Sequence, residues 1–242
     1  MRRAVGNETV CGNGRPRGSA ILVDLPAFLL ERGGRATQSS PAGRNLVKKN
    51  LVFGLAMSAA LCIPAFAALQ PGSPAPEFSA PASLAGKQFH FSLASALKKG
   101  PVVVYFFPSA YTGGCDLEAH TFAQNKSKFT AAGATIIGVS EDSIARLDQF
   151  SADPKYCAGQ FPVASDPSGN VAVSYGVKTF PAMAGAKDVR GVAIHHGFID
   201  RTTFVIGRDG KIVAEFSSRA DHLSPPEHVT RALAVVRRLD HK

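Results

Sequence analysis

Seven consecutive apolar residues at positions 101–107, PVVVYFF, constrain the fold of this chain more than any other feature. A continuous β-branched and aromatic run predicts a strand that is buried on both faces, as at the centre of a layered α/β sheet. Pro108 ends this strand because proline has no N–H to donate to the ladder. Residues 134–139, ATIIGV, predict a second buried strand, and a helix is expected between the two from about residue 114 to 132.

The remaining pattern completes one α/β domain. We predict a hairpin over 78–93, a helical turn at 94–99, a helix at 143–150, a short strand at 161–164, a helix at 168–175, a hairpin over 201–216 and a last helix from about Ser224. Strand–helix alternation followed by a hairpin and a helix predicts a thioredoxin-like fold over residues 68–242, with a mixed central sheet, flanking helices and an N-terminal β-hairpin.

Residues 48–67, KKNLVFGLAMSAALCIPAFA, have the pattern of a secretory signal peptide. Two lysines precede an uncharged apolar stretch, and a small-x-small site predicts cleavage after Ala67. An uncleaved membrane anchor is the alternative, but the apolar run is shorter than the roughly 20 residues of a typical span. A lipoprotein through Cys62 is disfavoured by the bulky Leu61 before it. We therefore interpret residues 46–67 as a signal peptide and expect an exported, periplasmic protein that leaves the membrane after cleavage.

Residues 1–45 precede this signal and are not expected to belong to the working protein; a start codon assigned too far upstream would explain them. The segment 1–67 holds nine Lys/Arg and three Asp/Glu, whereas 68–242 holds eighteen and fifteen, so most of the formal charge of +9 lies outside the predicted domain. No basic stripe with interleaved aromatic residues occurs in that domain. We therefore expect no nucleic-acid partner.

The chain has four cysteines, Cys11, Cys62, Cys115 and Cys157, and no C-x-x-C pair. Neither a dithiol redox loop nor a zinc knuckle is available by spacing, and we expect no metal and no cofactor. Removal of the leader would keep only Cys115 and Cys157. In an oxidising compartment two cysteines can form one disulfide, structural or catalytic, and composition does not choose between these.

Cys115 falls in the first turn of the helix that follows the central strand. Unpaired N–H groups and the helix dipole favour a negative charge there and lower a thiol pKa. Gly113 and Gly114 allow close backbone approach above the sulfur, and Thr112 supplies a hydroxyl within one turn. This context favours a nucleophile over the alternative of a buried cysteine that acts as a small hydrophobic residue.

The run from Pro108 to Cys115, P-x-x-x-T-x-x-C after an apolar strand, resembles the active-site motif of peroxiredoxins. The chain is similar to the bacterioferritin-comigratory-protein, or peroxiredoxin Q, branch of the AhpC/TSA family over residues 70–238. The stretches that carry this likeness are APEFSAPASLAGKQFHFSL, VVVYFFPSAYTGGCDLEAH, IIGVSEDSIARLDQF, FPVASDPSGNVAVSYGV and RTTFVIGRDGKI.

The resemblance implies a thiol-dependent peroxidase and a role for each matching residue. Cys115 would be the peroxidatic cysteine, Thr112 would hydrogen-bond the thiolate and the peroxide, and Pro108 would shelter the site from water. Arg201 matches the family's active-site arginine; a guanidinium there would stabilise the thiolate and polarise the O–O bond. Without the motif, Arg201 would be interpreted as a solvated charge at a strand end.

The resemblance also implies a second thiol that condenses with the sulfenic acid on Cys115. Many members of the branch carry it five residues after the first cysteine, where this chain has His120. Cys157, expected at the end of the helix after IIGVSED, then becomes the resolving candidate, with a disulfide formed after local unwinding of both helix ends. The alternative is a one-cysteine enzyme that an external thiol resolves.

Four acidic or imidazole positions need an interpretation. Asp116, beside the cysteine, is expected to point to solvent, and Glu118 is expected to have a structural role or to position Arg201. His195 and His196 are adjacent, so on a strand they would point to opposite faces and chelate a metal poorly. We interpret them as part of a solvated segment.

The expected partners are a peroxide substrate and a thioredoxin-like or other thiol reductant. We expect a monomer, with a dimer as the alternative. Two other functions remain open: a thioredoxin-like thiol–disulfide oxidoreductase, which lacks its usual C-x-x-C here, and a redox-inactive thioredoxin-like binding module.

Overall fold

The structure, a computed structural model, describes residues 69–240. The expected extension at 1–45, the signal peptide at 46–67 and its cleavage site lie outside the described residues. None of the helices in the described part is long and apolar enough to cross a membrane.

A seven-stranded mixed sheet forms the middle layer. Its strands are β1 Ser79–Leu84, β2 Lys87–Ser92, β3 Val102–Phe106, β4 Thr135–Ser140, β5 Val163–Ser165, β8 Thr202–Ile206 and β9 Ile212–Ser217, and they lie in the order β2-β1-β5-β4-β3-β8-β9. Two further strands, β6 Thr179–Phe180 and β7 Phe198–Ile199, pair separately with each other. The helices are α1 Leu93–Leu97, α2 Gly113–Ala131, α3 Ile144–Ala152, α4 Asn170–Ser174 and α5 Pro225–Asp240. The predicted mixed sheet, flanking helices and N-terminal hairpin are confirmed.

Strand β3 lies in the interior of the sheet, as its continuous apolar sequence predicts. It runs parallel to β4 and antiparallel to β8, and each of its five side chains is buried. Alternate side chains of β3 pack on opposite faces of the sheet. Val103 and Tyr105 belong to the apolar cluster on one face, and Val102 and Phe106 belong to the cluster on the other. Because both faces are packed, the carboxyl end of β3 is held firmly, and the loop that follows it starts from a fixed point.

The stretch between α4 and β8 received no element in the sequence analysis. Here Thr179 pairs with Ile199 and Phe180 with Phe198, and residues 181–197 form a loop between them. Two-residue strands are too short to show a period of two, so sequence periodicity does not reveal them. This loop matters because it reaches the residues that precede α2.

Candidate active site

Cys115 and Arg201, 86 residues apart in sequence, meet at the N-terminal end of α2. The helix begins at Gly113, which places Cys115 in its first turn as predicted. Arg201 directly precedes β8, and its Nη2 donates a hydrogen bond to the Cys115 Sγ at 3.2 Å. Cys115 is 2% exposed, so this contact lies in a largely dry environment where a positive charge acts strongly on sulfur.

Glu118 holds the guanidinium in this position. Its fully buried carboxylate forms an ion pair with Nη1 of Arg201, while Nη2 faces the sulfur. Together Glu118 and Cys115 raise the pKa of Arg201, so the guanidinium remains charged. This arrangement agrees with the predicted role of Glu118 in positioning Arg201.

Of the two glycines before the cysteine, only Gly114 lies so close to a neighbouring group that a side chain would press on it. A Cβ built on Gly114 would lie 3.2 Å from Nη2 of Arg201, whereas a Cβ on Gly113 would meet nothing within 4 Å. A side chain at position 114 would therefore press on the guanidinium that contacts the sulfur. The expectation that both glycines are needed for close backbone approach near the sulfur holds for Gly114 and is wrong for Gly113.

The electrostatic balance at Cys115 differs from the sequence expectation of a lowered pKa. Burial raises the pKa of the thiol, while Arg201, the Ser109 backbone and the Thr112 hydroxyl lower it, and the net direction is upward. The Thr112 hydroxyl donates to the Ser109 carbonyl at 2.8 Å. Because the sulfur is almost fully buried, its thiolate depends on these local donors. Pro108, half-buried, lies two residues past the end of β3 at Phe106.

The loop between β3 and α2 is anchored by Asp142, a residue that no sequence motif marks. The fully buried carboxylate accepts hydrogen bonds from the Ala110 N–H at 2.7 Å and from the Ser109 and Ser140 hydroxyls at 3.1 and 2.8 Å. Arg146 forms an ion pair with it at 2.8 Å. One carboxylate therefore joins the active-site loop to the end of β4 and the start of α3.

His196 also reaches this carboxylate, so its interpretation as solvated is wrong, although His195 is exposed as expected. Nε2 of His196 lies 2.8 Å from Asp142 Oδ1, and this contact outweighs burial and raises the pKa of His196. The Ser109 hydroxyl lies 3.4 Å from the same imidazole nitrogen, Nε2, whereas the other ring nitrogen, Nδ1, contacts the Gly197 carbonyl. In a hydrolytic Ser–His–Asp triad serine and aspartate occupy opposite nitrogens, so this cluster is not one.

Tyr111 connects the loop 181–197 to the start of α2. Its φ of 58° lies in the left-handed region, which is strained for a residue with a bulky side chain. The Val189 N–H donates to the Tyr111 carbonyl at 2.9 Å, and the Arg190 guanidinium lies 3.3 Å from the ring centroid. Asp188 holds Arg190 through an ion pair at 2.8 Å. No sequence signal marks Tyr111, because its conformation depends on contacts from a distant loop.

Cys157 lies past α3, not at its end as predicted. The helix ends at Ala152, and Cys157 occupies the turn that follows, fully buried. Cys115 and Cys157 are both free thiols and belong to the same apolar cluster. Burial raises the pKa of Cys157 well above its ordinary value, with Asp116 and Asp153 adding to the effect.

Asp116 does not point to solvent, and that expectation is wrong. It is 8% exposed, and burial raises its pKa to about 6. The reason is tertiary: the turn that carries Cys157 packs against this face of α2, where the nitrogen Nδ1 of His120 contacts the Lys155 carbonyl at 3.0 Å.

A buried cysteine at the start of a helix after the central strand, contacted by a guanidinium, defines a thioredoxin-like protein with thiol chemistry. The model of the AhpC/TSA family matches residues 71–215, and the chain belongs to this family. A peroxiredoxin of Mycobacterium tuberculosis is 37% identical over 153 residues, which cover 63% of this chain and 88% of the relative. The peroxiredoxin bcp of Haemophilus influenzae is 30% identical over 148 residues, covering 61% and 86%.

Solved structures agree with this assignment. The peroxidoxin BcpB of Mycobacterium tuberculosis superposes with a TM-score of 0.56 and 28% identity, covering 71% of this chain and 98% of that one. The bacterioferritin comigratory protein of Xanthomonas campestris gives a TM-score of 0.51 and 27% identity, covering 66% and 91%. The predicted thioredoxin-like fold and the predicted class, a thiol peroxidase with an antioxidant function, are confirmed. The two competing functions are not favoured.

Proposed function

We propose that Cys115 is the peroxidatic cysteine and that Arg201 is its principal electrostatic partner. The observation that carries this assignment is the hydrogen bond from Nη2 of Arg201 to the buried Sγ. The Cys115 thiolate attacks one peroxide oxygen, the O–O bond breaks, and the other oxygen leaves as water or alcohol once protonated. Cys115 becomes a sulfenic acid in this step. The guanidinium stabilises both the thiolate and the charge that develops on the departing oxygen.

Thr112 and Pro108 complete the proposed peroxide site. The Thr112 hydroxyl, which donates to the Ser109 carbonyl at 2.8 Å, can turn to the attacking sulfur or the bound peroxide. Pro108 limits the access of water at the end of β3. Hydrogen peroxide and organic hydroperoxides are the proposed substrates, and the Xanthomonas campestris relative is described for its alkyl peroxide reduction activity.

Cys157 is the proposed resolving cysteine. Its thiol would condense with the Cys115 sulfenic acid to a disulfide, which a thioredoxin-like or other thiol reductant then reduces. Both thiols are buried, and we propose that the turn that follows α3 and the first turn of α2 unwind locally when they join. The proposed enzyme is a monomer that needs neither metal nor cofactor.

One equivalent of hydrogen peroxide added to the fully reduced protein is expected to join Cys115 to Cys157. Peptide mass spectrometry under acid quench should find one linked peptide pair, and thiol counting should find two thiols lost per chain. In Cys157→Ser the reaction should stop at the sulfenic acid on Cys115, detected by a dimedone adduct. If Cys157→Ser turned over at the wild-type rate with the same protein reductant, resolution by an external thiol would replace this assignment.

The proposed location is the periplasm, reached by export through the signal at residues 46–67. The pattern of lysines, apolar stretch and small-x-small site supports this proposal. Sequencing of the N-terminus of the native protein should therefore begin at Ala68. A mature terminus well before Ala68 would contradict both the cleavage site and the interpretation of residues 1–45.

A further inference from the structure

Asp116 lies on the face of α2 that meets the turn carrying Cys157. His120 follows Asp116 by four residues and therefore shares its helix face. The Nδ1 atom of His120 contacts the carbonyl of Lys155, two residues before Cys157, at 3.0 Å. This face of the helix is thus docked against the turn, one helical turn away from Asp116.

A second contact brackets Asp116 from its N-terminal side. The ring of Tyr111, just before α2, lies 5.4 Å from the ring of Tyr156, the immediate neighbour of Cys157. Asp116 sits between these two contacts along the helix. Burial raises the pKa of the Cys157 thiol, and the charge of the nearby Asp116 carboxylate raises it further.

Among residues 69–240, the Oδ1 atom of Asp116 is buried and has no hydrogen-bond partner. A buried carboxylate oxygen without a donor is costly, and burial raises the pKa of Asp116 to about 6. The Tyr111 N–H and the Arg190 guanidinium oppose this rise, whereas the Asp153 and Asp188 carboxylates add to it. A carboxyl group in this condition can accept and return a proton near neutral pH.

The other carboxylates near the two sulfurs are engaged elsewhere. Glu118 forms the ion pair with Arg201, and Asp153 accepts a hydrogen bond from the Lys155 N–H at 2.9 Å at the exposed edge of the turn. Glu118 is also buried with one unpartnered oxygen, Oε1, but its other oxygen is held by Arg201; of the three carboxylates, Asp116 alone adds an influence on Cys157 to these two features.

We propose that Asp116 transfers the proton in the resolving step, an inference that rests on the proposed role of Cys157. The Asp116 carboxylate takes the proton from the Cys157 thiol as that sulfur attacks the sulfur of the Cys115 sulfenic acid. The S–S bond forms and the S–O bond breaks, so Cys157 is oxidised and the sulfenic sulfur is reduced. Asp116 then gives the proton to the departing hydroxide, which leaves as water. The step has no net proton change and needs no further reactant.

The test is the rate of disulfide formation in Asp116→Asn, which keeps the side-chain shape and removes the base. Rapid acid quench after one equivalent of hydrogen peroxide, followed by mass spectrometry, separates the sulfenic acid on Cys115 from the disulfide. Disulfide formation should slow about 10²-fold, so that sulfenic acid accumulates. In the wild type the rate of this step should rise as the pH passes upward through about 6, because the base acts as the carboxylate. In Asp116→Asn this rise should be absent.

Asp153→Asn is the matched control. It also removes a negative charge that acts on Cys157, but the Asp153 carboxylate accepts a hydrogen bond at the exposed edge of the turn. Its disulfide step should remain within about threefold of the wild type and keep the pH dependence. A wild-type rate and pH profile in Asp116→Asn would overturn the inference and leave Cys157 as the resolving cysteine. The absence of a Cys115–Cys157 disulfide in the wild-type protein would overturn both.

Discussion

Replacement of Arg201 by glutamine is expected to lower kcat/KM for hydrogen peroxide by about 10²- to 10³-fold, the usual cost of losing one preorganised donor to developing charge. The guanidinium donates a hydrogen bond to the Cys115 sulfur at 3.2 Å. Without it, only the Ser109 backbone and the Thr112 hydroxyl still oppose the effect of burial, so the pKa of Cys115 rises further. Stopped-flow competition against a peroxide reporter gives the rate constant, with Cys115→Ser as the zero-activity reference. The pH dependence of Cys115 alkylation should move to higher pH.

Loss of Arg201 also leaves Glu118 buried without its partner, which by itself costs about 3–5 kcal/mol of stability. The double variant Arg201→Gln, Glu118→Gln separates the two effects, because no unpaired carboxylate remains. It should recover thermal stability relative to the single variant but not peroxidase activity. Near-wild-type kcat/KM in the folded double variant would show that the guanidinium does not assist the reaction at sulfur.

Replacement of Asp142 by asparagine is expected to lower the free energy of unfolding by about 3–5 kcal/mol, since it removes a buried charge from its partners. The amide NH₂ would face groups that themselves donate to this carboxylate, among them the Ala110 N–H and the Ser109 hydroxyl. A lower melting temperature, by about 10 °C, should accompany a lower peroxidase rate, because the loop before Cys115 loses its anchor.

Asp209→Asn is the surface control for this effect, because Asp209 is exposed in the β8–β9 turn, where it accepts a hydrogen bond from the Lys211 N–H at 3.2 Å. Its free energy of unfolding should change by no more than about 0.5 kcal/mol. Equal melting temperatures of Asp142→Asn and Asp209→Asn would contradict the anchoring role of Asp142.

The elements of this fold were predictable where the information is local. The run at 101–107 identifies β3, because only a two-sided buried strand accommodates it, and the hairpin around Arg208 follows from turn chemistry. The run from Pro108 to Cys115 combines a strand end with a helix start, and it carried the resemblance to peroxiredoxins. Even the participation of Arg201 was foreseen through that resemblance, although its contact with sulfur is a tertiary fact.

Three of the errors share one cause. Asp116 and His196 were expected in water and Cys115 with a lowered pKa, yet each of the three is partly or fully buried by segments remote in sequence. Burial depends on which segments pack together, and desolvation of this kind outweighs the helix dipole and other local effects on a titratable group.

The sequence by itself determined the nucleophile, its place between strand and helix, and the family, because periodicity, proline and glycine act within a few residues. Only the tertiary structure decided the surroundings of that nucleophile. It brought Arg201 and Glu118 to the sulfur, fixed the preceding loop on Asp142, placed the loop 181–197 on Tyr111, and buried Asp116 against the turn of Cys157. The physical reason is that these effects come from desolvation and from contacts across dozens of residues, which no local pattern records.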